Sequence, residues 1–442
     1  MTTTDRPKLS VIGTGYLGAT HAVCMTELGF DVIGVDVFPD KIDKLNAGEV
    51  PFFEPGLAEL LRKNLETGRL RFTTSYEEAA EFADVHFICV GTPQKKGEYA
   101  ADVSYVDTAF SSLAPLLTRR VLLVGKSTVP AGTAARIADM VAELAPNKDV
   151  ELAWNPEFLR EGFAVEDTLR PDRLVFGVRS EWAEQQLRAA FAPVIETGSP
   201  VIVTDFATAE LVKVAANSFL ATKISFINAM AEVCEVTHAD VTKLAEALGY
   251  DDRIGRKFLG SGLGFGGGCL PKDIRAFMAR AGELGVDQAL TFLKDVDDIN
   301  MRRRARVVDL GYELLQGSYN GAKVCVFGAA FKPNSDDIRD SPALDVAANI
   351  RRHGATVVVY DPAAMDNARK AHPQLTYADS ALEAARDADL VLLLTEWNEF
   401  REMDPQVLGD AVAKRRIVDG RNALDPTQWR AAGWTYRALG RP

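Results

Sequence analysis

The sequence has 442 residues, with 50 Lys+Arg against 62 Asp+Glu, a formal net charge of −12, and 47% hydrophobic residues. At roughly 100–200 residues per domain this is enough for about two to four domains that need no covalent staples, which excludes a disordered chain and a disulfide scaffold. The acidic balance excludes a nucleic-acid backbone as main partner, because phosphate binding wants a basic surface, while leaving room for a local basic pocket. Five cysteines, Cys24, Cys89, Cys234, Cys269 and Cys325, form no CxxC pair and no metal-ligand spacing. No metal and no disulfide framework are therefore expected, and reduced thiols fit a cytoplasmic protein. The Gly-rich uncharged run from Phe258 to Pro271 is 14 residues, half of them Gly or Pro, against ~18–20 apolar residues for a membrane span. No membrane partner is expected, and the start MTTTDRPKLS does not read as a signal peptide.

In chain order, apolar β-rich runs at Leu9–Ile12, Asp31–Val35, Val85–Val90, Val121–Lys126, Leu152–Trp154, Leu174–Val178 and Val201–Val203 alternate with amphipathic stretches. This βαβ rhythm predicts a parallel sheet with helices on both faces. From about Asp205 to Leu248 the pattern is nearly unbroken helix without Gly or Pro, of a length that joins domains or packs on a second subunit. A Gly-rich stretch, Gly260–Gly268, precedes a helical zone to about Leu315, and strands return at Lys323–Phe327, Thr356–Tyr360, Leu390–Leu394 and Ile417–Asp419. The expected fold class is α/β: two Rossmann-like doubly wound parallel-sheet domains joined by a long central helix and a small helical domain. The divisions fall at 1–204, 205–315 and 316–442.

Strand Leu9–Ile12 runs into Gly13-Thr14-Gly15-Tyr16-Leu17-Gly18 and then a helix from Ala19 to Leu28. The glycines serve a tight turn, close approach of backbone to a pyrophosphate, and close packing of helix on strand. The N–H groups of the helix start would hold the phosphates. Asp36 ends the second strand, 18 residues past Gly18, where a carboxylate accepts from both ribose hydroxyls and repels a 2′-phosphate. NAD is thus favoured over NADP; the plainer alternative is an ordinary βα turn with Asp36 capping a strand. Lys41 is either a solvated helix residue or a contact to the adenosine ribose. The second strand series has no GxGxxG, so it does not predict a second dinucleotide. Lys332, Arg339 and Arg421 fall at its carboxyl edges, placed either for a diphosphate or for surface salt bridges.

Five of the eight residues before Cys269 are glycine, a costly choice unless backbone passes close to a ligand. Cys269 precedes Pro271 and a helix, whose N-terminus favours a thiolate nucleophile. The other four cysteines sit in apolar patterns and read as small buried hydrophobes. Lys213 and Asn217, four apart on the long helix, share a face and would either stabilise an oxyanion or, for the lysine, reach out to water. Thr128, in STVP, and Glu157, in NPEFLREG, fall at strand carboxyl edges as site residues or as helix caps.

Together the blocks VIGTGYLG, FFEPGL, GRLRFTTS, VGTP, STVPAGT, NPEFLREG, ELVKVAANSFLATKISFIN, DRIGRKFLGSGLGFGGGCLPKD, FGAAFKPNSDDIRDSPAL, YDP and DGRN resemble the nucleotide-sugar 6-dehydrogenase family. They run in order from residue 11 to 422. The resemblance implies a two-step oxidation of a sugar C6 alcohol to a carboxylate by NAD, with UDP-glucose as the expected substrate and GDP-mannose or a UDP-N-acetylhexosamine as alternatives. It implies that Cys269 traps the aldehyde as a thiohemiacetal and then carries a thioester, that Lys213 and Asn217 hold the oxyanion, and that Asp273 positions or activates water. Glu157 would serve thioester hydrolysis and Thr128 would orient its water. It further implies that Glu157, Phe158, Leu159, Arg160, Lys213, Asn217, Phe258, Leu259, Gly260, Ser261, Gly266, Lys332 and Arg421 line a UDP-sugar site, that Arg253 reaches it across a homodimer interface formed by the central helical domain, and that Thr92, Thr128, Glu161 and Arg339 lie near NAD. Two departures from the family pattern are Gly268, where many relatives carry Ser, and Gly260, where some carry Lys.

Overall fold

The computed structural model describes residues 6–147 and 149–442. The chain forms two compact units, one running to Ala216 and the other holding Asn217–Ala281 and Gly285–Pro442.

The first unit is built on eight strands: β1 (Leu9–Ile12), β2 (Val32–Val35), β3 (Leu70–Thr73), β4 (Val85–Ile88), β5 (Leu122–Gly125), β6 (Glu151–Trp154), β7 (Leu174–Gly177) and β8 (Val201–Thr204). Their spatial order is β3-β2-β1-β4-β5-β6-β7-β8. β1 and β2 are buried along their whole length, as strands covered on both faces must be. One face of the sheet packs Val11, Val23, Phe87 and Phe176 against helices, and the other packs Ile12, Ile88, Phe110 and Trp154. The expectation of a wholly parallel sheet needs one correction, since β7 meets β6 antiparallel through Trp154 and Gly177. The connection over residues 155–173 stays at the carboxyl end of β6 and enters β7 from that same end. It thereby keeps the NPEFLREG segment at the edge where open α/β sheets bind ligands.

The helix Phe206–Thr237 starts in the first unit and continues into the second. The predicted unbroken helix to Leu248 does not form. His238 takes a left-handed φ of 58°, and a new helix, Val241–Gly249, starts behind Asp240, whose carboxylate accepts from the Thr242 N–H. A short polar side chain that captures backbone N–H groups restarts a helix without needing Gly or Pro.

The second unit's sheet has β9 (Lys323–Phe327), β10 (Thr356–Tyr360), β11 (Thr376–Tyr377), β12 (Leu390–Leu393), β13 (Arg416–Asp419) and β14 (Thr435–Ala438), in the order β11-β10-β9-β12-β13-β14. All of its pairings are parallel. The helix Phe292–Leu314 packs on the helix Pro342–Arg352 and on β13. Among the described residues no helix is long and apolar enough to cross a membrane.

Candidate active site

In the first unit the turn after β1 is a cradle only glycine permits. Gly13 has φ 91° and a Cβ there would lie 2.8 Å from Val90, while one on Gly18 would lie 1.8 Å from the Gly13 carbonyl oxygen. The helix starts at Tyr16, one turn earlier than predicted, with no acidic residue in its first turn, so Gly15, Tyr16 and Leu17 offer N–H groups to an anion. Asp36 is 7% exposed at the end of β2. Its Oδ2 accepts from the Thr14 N–H at 2.9 Å and the Thr14 hydroxyl at 3.1 Å, and pairs with Lys41 Nζ at 2.7 Å. Lys41 also lies over the ring of Phe38, which like Val37 is 62% exposed. A Gly cradle, a helix start and a carboxylate beside an uncovered apolar edge fit a dinucleotide with free ribose hydroxyls.

The equivalent position in the second sheet is closed. Asp361, 1% exposed after β10, accepts from the N–H groups of Ala329, Ala330, Ala363 and Ala364 and from the Trp397 indole. That carboxylate has no capacity left for a ribose.

Three loops at the carboxyl edge of the first sheet are tied together. The Thr92 hydroxyl donates to the Thr128 carbonyl at 2.8 Å and Ser127 to the Val90 carbonyl at 2.6 Å. The buried Lys126 donates to Asn155 Oδ1 at 2.8 Å, and Asn155 donates to the Val175 carbonyl; burial pushes the Lys126 ammonium below its ordinary value. Glu157 stands 3.2 Å from Lys213 Nζ and accepts from the Leu159 N–H. The Phe158 ring has the Arg173 guanidinium 3.8 Å and the Lys213 ammonium 5.5 Å from its centroid. Arg160 is engaged by both oxygens of Asp167. Glu161 is near enough to push the Tyr16 phenol further up, after burial and Glu54.

Two buried carboxylates that sequence reasoning missed hold these loops. Glu210 accepts from the N–H groups of Gly132 (2.7 Å) and Ala134 (2.6 Å), capping the helix Thr133–Leu144 behind Ser127-Thr128. Glu54 accepts from Gly162 and Ala164, each at 2.7 Å, and from the Tyr16 hydroxyl. Both lie inside quoted blocks, FFEPGL and ELVKVAAN, but no local pattern announces their distant partners.

In the second unit Cys269 is exposed at the start of the helix Leu270–Glu283, with the Asp273 N–H donating to its carbonyl at 2.9 Å. Asp273 is buried; its Oδ2 accepts from Asn217 Nδ2 at 2.6 Å and its Oδ1 pairs with Lys272 at 2.5 Å. Lys272 was missed because it reads as an ordinary first-turn residue. The glycine loop is held by side chains around it: Gly262 N–H on Asn228, Phe265 N–H on Asn300, and the Gly264 carbonyl on Arg421. Gly266 packs against the Asp340 backbone and Pro342, where a Cβ would lie 2.3 Å from the Asp340 carbonyl oxygen. Ser261 Oγ accepts from Asn422 at 2.9 Å; Leu259 is buried, Gly260 exposed, and Phe258 exposed with φ 64°.

The remaining cations differ in setting. Arg421 is no surface residue: it donates to the carbonyls of Leu394, Gly264 and Phe331 at 2.8–3.1 Å, and burial lowers its affinity for its proton. Arg339 binds Asp337, with its guanidinium 2.3 Å from where a Cβ on Gly268 would sit. Lys332 lies 5.4 Å from the Phe331 ring centroid, and Arg253, 89% exposed, pairs with Asp251. Cys24, Cys89, Cys234 and Cys325 are buried; burial pushes the Cys24 and Cys89 thiols up to about 12 and raises Cys234 and Cys325 as well, leaving them inert. Among the described residues no cluster of His, Cys, Asp or Glu is arranged to hold a metal.

The second unit offers a thiol at a helix start and a buried carboxylate held by an amide and an ammonium, and the first unit offers a carboxylate–ammonium pair. Comparison with known proteins bears on the chain as a whole. Residues 7–195, 207–302 and 325–426 match the NAD binding, central and UDP binding domains of the UDP-glucose/GDP-mannose dehydrogenase family. The chain is 40% identical over 437 residues to a UDP-glucose 6-dehydrogenase of Rhizobium meliloti, covering 98% of this chain and all of that protein. It is 40% identical over 438 residues to UDP-glucose 6-dehydrogenase TuaD of Bacillus subtilis, covering 98% and 93%. A solved UDP-glucose dehydrogenase from Pyrobaculum islandicum superposes with a TM-score of 0.92 at 38% identity, over 100% of this chain and 99% of that one.

Proposed function

The chain belongs to the UDP-glucose/GDP-mannose dehydrogenase family and is an NAD-dependent oxidoreductase, and from that premise we propose that it oxidises UDP-glucose at C6 to UDP-glucuronate through a thioester on Cys269. The turn at Gly13–Gly18 and Asp36 would hold NAD, which when bound would supply the hydride acceptor for both oxidations. The observation that carries the reading is the placement of Cys269, exposed at the start of a 14-residue helix and behind a loop of five glycines, where the helix N-terminus favours a thiolate.

The thiolate adds to the C6 aldehyde to form a thiohemiacetal, so the intermediate stays tethered between the two hydride losses. Loss of hydride from C6 and of the hydroxyl proton leaves the thioester; water then attacks its carbonyl and expels the thiolate. Lys213 and Asn217 hold the oxyanion. Asp273, fixed by Asn217 and Lys272, positions the water, and Glu157, paired with Lys213, serves hydrolysis with Thr128. Phe158, Leu159, Ser261, Lys332 and Arg421 line the UDP-sugar; Asp36, Lys41, Thr92, Glu161 and Arg339 serve NAD.

A homodimer completes the reading. Phe219, Phe226, Val233 and Val236 are 66%, 48%, 51% and 78% exposed on one helix, and with Thr222 and Ala229 they alternate steps of four and three, the spacing of a helix–helix seam. A cytoplasmic location accords with the reduced thiols of Cys24, Cys89, Cys234 and Cys325. The test is product stoichiometry: two NADH per UDP-glucose, little turnover of GDP-mannose, and stalled turnover in Cys269→Ser. Normal turnover in Cys269→Ala refutes the mechanism.

A further inference from the structure

We propose that Glu54 is a positioning residue that locks residues 155–163 against the helix of the dinucleotide turn, so that turnover depends on it; this rests on the role given above to Glu157. Glu54 is 6% exposed and lies just before the helix Leu57–Glu66. Its Oε2 accepts from the Gly162 N–H and the Tyr16 hydroxyl, and its Oε1 from the Ala164 N–H. The Gly162 N–H also reaches the Tyr16 oxygen at 3.0 Å. One carboxylate therefore joins three chain segments: its own, the first turn of the Tyr16–Glu27 helix, and the end of the loop that carries Glu157 and Glu161.

The need for a distant partner is local. The helix Ala164–Leu169 is preceded by Phe163, which has no capping side chain, so its first N–H groups would be orphaned without Glu54. The same arrangement recurs next door, where Gly132 cannot cap the helix Thr133–Leu144 and Glu210 takes the N–H groups of Gly132 and Ala134. In both cases a remote carboxylate spans N–H groups two residues apart behind a loop at the sheet's carboxyl edge. Glu54 itself is no acid or base for the reaction, because both oxygens are buried and occupied. The Tyr16 phenol, raised first by burial and then by Glu54, remains a donor to it.

The experiment compares full-length wild type, Glu54→Gln and Glu54→Asp at a temperature where melting curves show each to be folded. Gln keeps the volume but turns an NH₂ group toward one of the two backbone N–H donors, so the loop loses its anchor. Expected are a kcat at least tenfold lower for Glu54→Gln, Cys269 acylated in intact-mass spectra taken during turnover, NADH affinity by fluorescence titration within threefold of wild type, and partial recovery of kcat in Glu54→Asp, which keeps two acceptor oxygens. If Glu54→Gln fails to fold, Glu54→Asp against wild type carries the same readouts. A folded Glu54→Gln with kcat within twofold of wild type and no acylated Cys269 overturns the proposal. Cys269→Ala measured alongside separates the two failures: if it is inactive while Glu54→Gln is normal, only the role of Glu54 falls, and if it turns over normally, the thioester reading falls first.

Discussion

Replacing Asp36 by Ser should convert the cofactor preference. The carboxylate is 7% exposed at the end of β2 and holds Lys41 at 2.7 Å. At ~4 Å and an effective dielectric of ~20, one unit of 2′-phosphate charge would be repelled by about 4 kcal/mol. Lys41 offsets part of this, and in Asp36→Ser the same ammonium is released to meet the phosphate. Taking about 3–4 kcal/mol for the sum, kcat/KM for NADP should rise by roughly two to three powers of ten, and with the loss for NAD that follows, the NADP-to-NAD ratio should rise by roughly three to five. Meanwhile NAD itself loses a charge-assisted bond from the ribose, about 1.5–3 kcal/mol, or roughly tenfold to a hundredfold in kcat/KM. The assay is initial-rate kinetics with each cofactor at saturating UDP-glucose. Adding Lys41→Ala to Asp36→Ser should remove most of the NADP gain. A ratio that moves less than tenfold would refute the placement of the ribose at Asp36.

Three other outcomes follow from the geometry. Glu210→Ala orphans the N–H groups of Gly132 and Ala134 and should cost about 2–4 kcal/mol, seen in calorimetry as a fall of roughly 4–16 °C in the transition of the first unit; a shift under about 2 °C would contradict it. His86 is fully buried with its Nδ1 2.7 Å from Ser10 Oγ, and burial takes its pKa from 6.5 to about 3. The unfolded chain therefore takes up a proton that the folded one refuses, and stability is lost as pH falls through 6.5 toward 3, by up to about 1.4 kcal/mol per unit. Urea midpoints at pH 7.5 and 5.0 should differ by less in His86→Gln than in wild type, and equal differences would remove the histidine from the account. In Gly268→Ser the atoms nearest the new Cβ are the flexible end of Arg339, so kcat/KM should stay within about threefold of wild type; a tenfold loss would mean that the resting place of Arg339 matters to turnover.

The strands that could be read from sequence were the central ones and one edge strand, β8, whose Val201-Ile202-Val203 is itself an apolar run. β1, β9 and β10 have the predicted bounds because strands covered on both faces are nearly continuous apolar runs. β3, β11 and β14 escaped notice because each is an edge strand, carrying residues such as Arg71, Thr376 and Arg437 that a covered strand would not tolerate. The helix restart at Asp240 was missed because the usual breakers are absent and a left-handed His238 took their place. Around the candidate site, the sequence showed which residue types recur at strand ends but not how they are held. Glu54 and Glu210 find partners 108 and 78 residues away, and nothing in a local window distinguishes them from surface acids. Arg421 reads as a cation at a strand's carboxyl edge, and what the sequence did not show is that its donors also tie the Leu394 carbonyl, the glycine loop and the Phe331 carbonyl together.

The saturated carboxylate of Asp361 has a kinetic consequence. Of the two sheets, among the described residues only the first presents both the glycine cradle and an acid, Asp36, that keeps some exposure at its strand end, which makes it the one recognisable seat for a dinucleotide. A four-electron oxidation passes two hydrides through that seat, and the spent cofactor must leave and a fresh one arrive while the half-oxidised sugar waits. The rate of that exchange, rather than of either hydride transfer, then sets how long the sugar must be kept from escaping. The bond to Cys269 proposed above would be the retention device that makes such a wait safe.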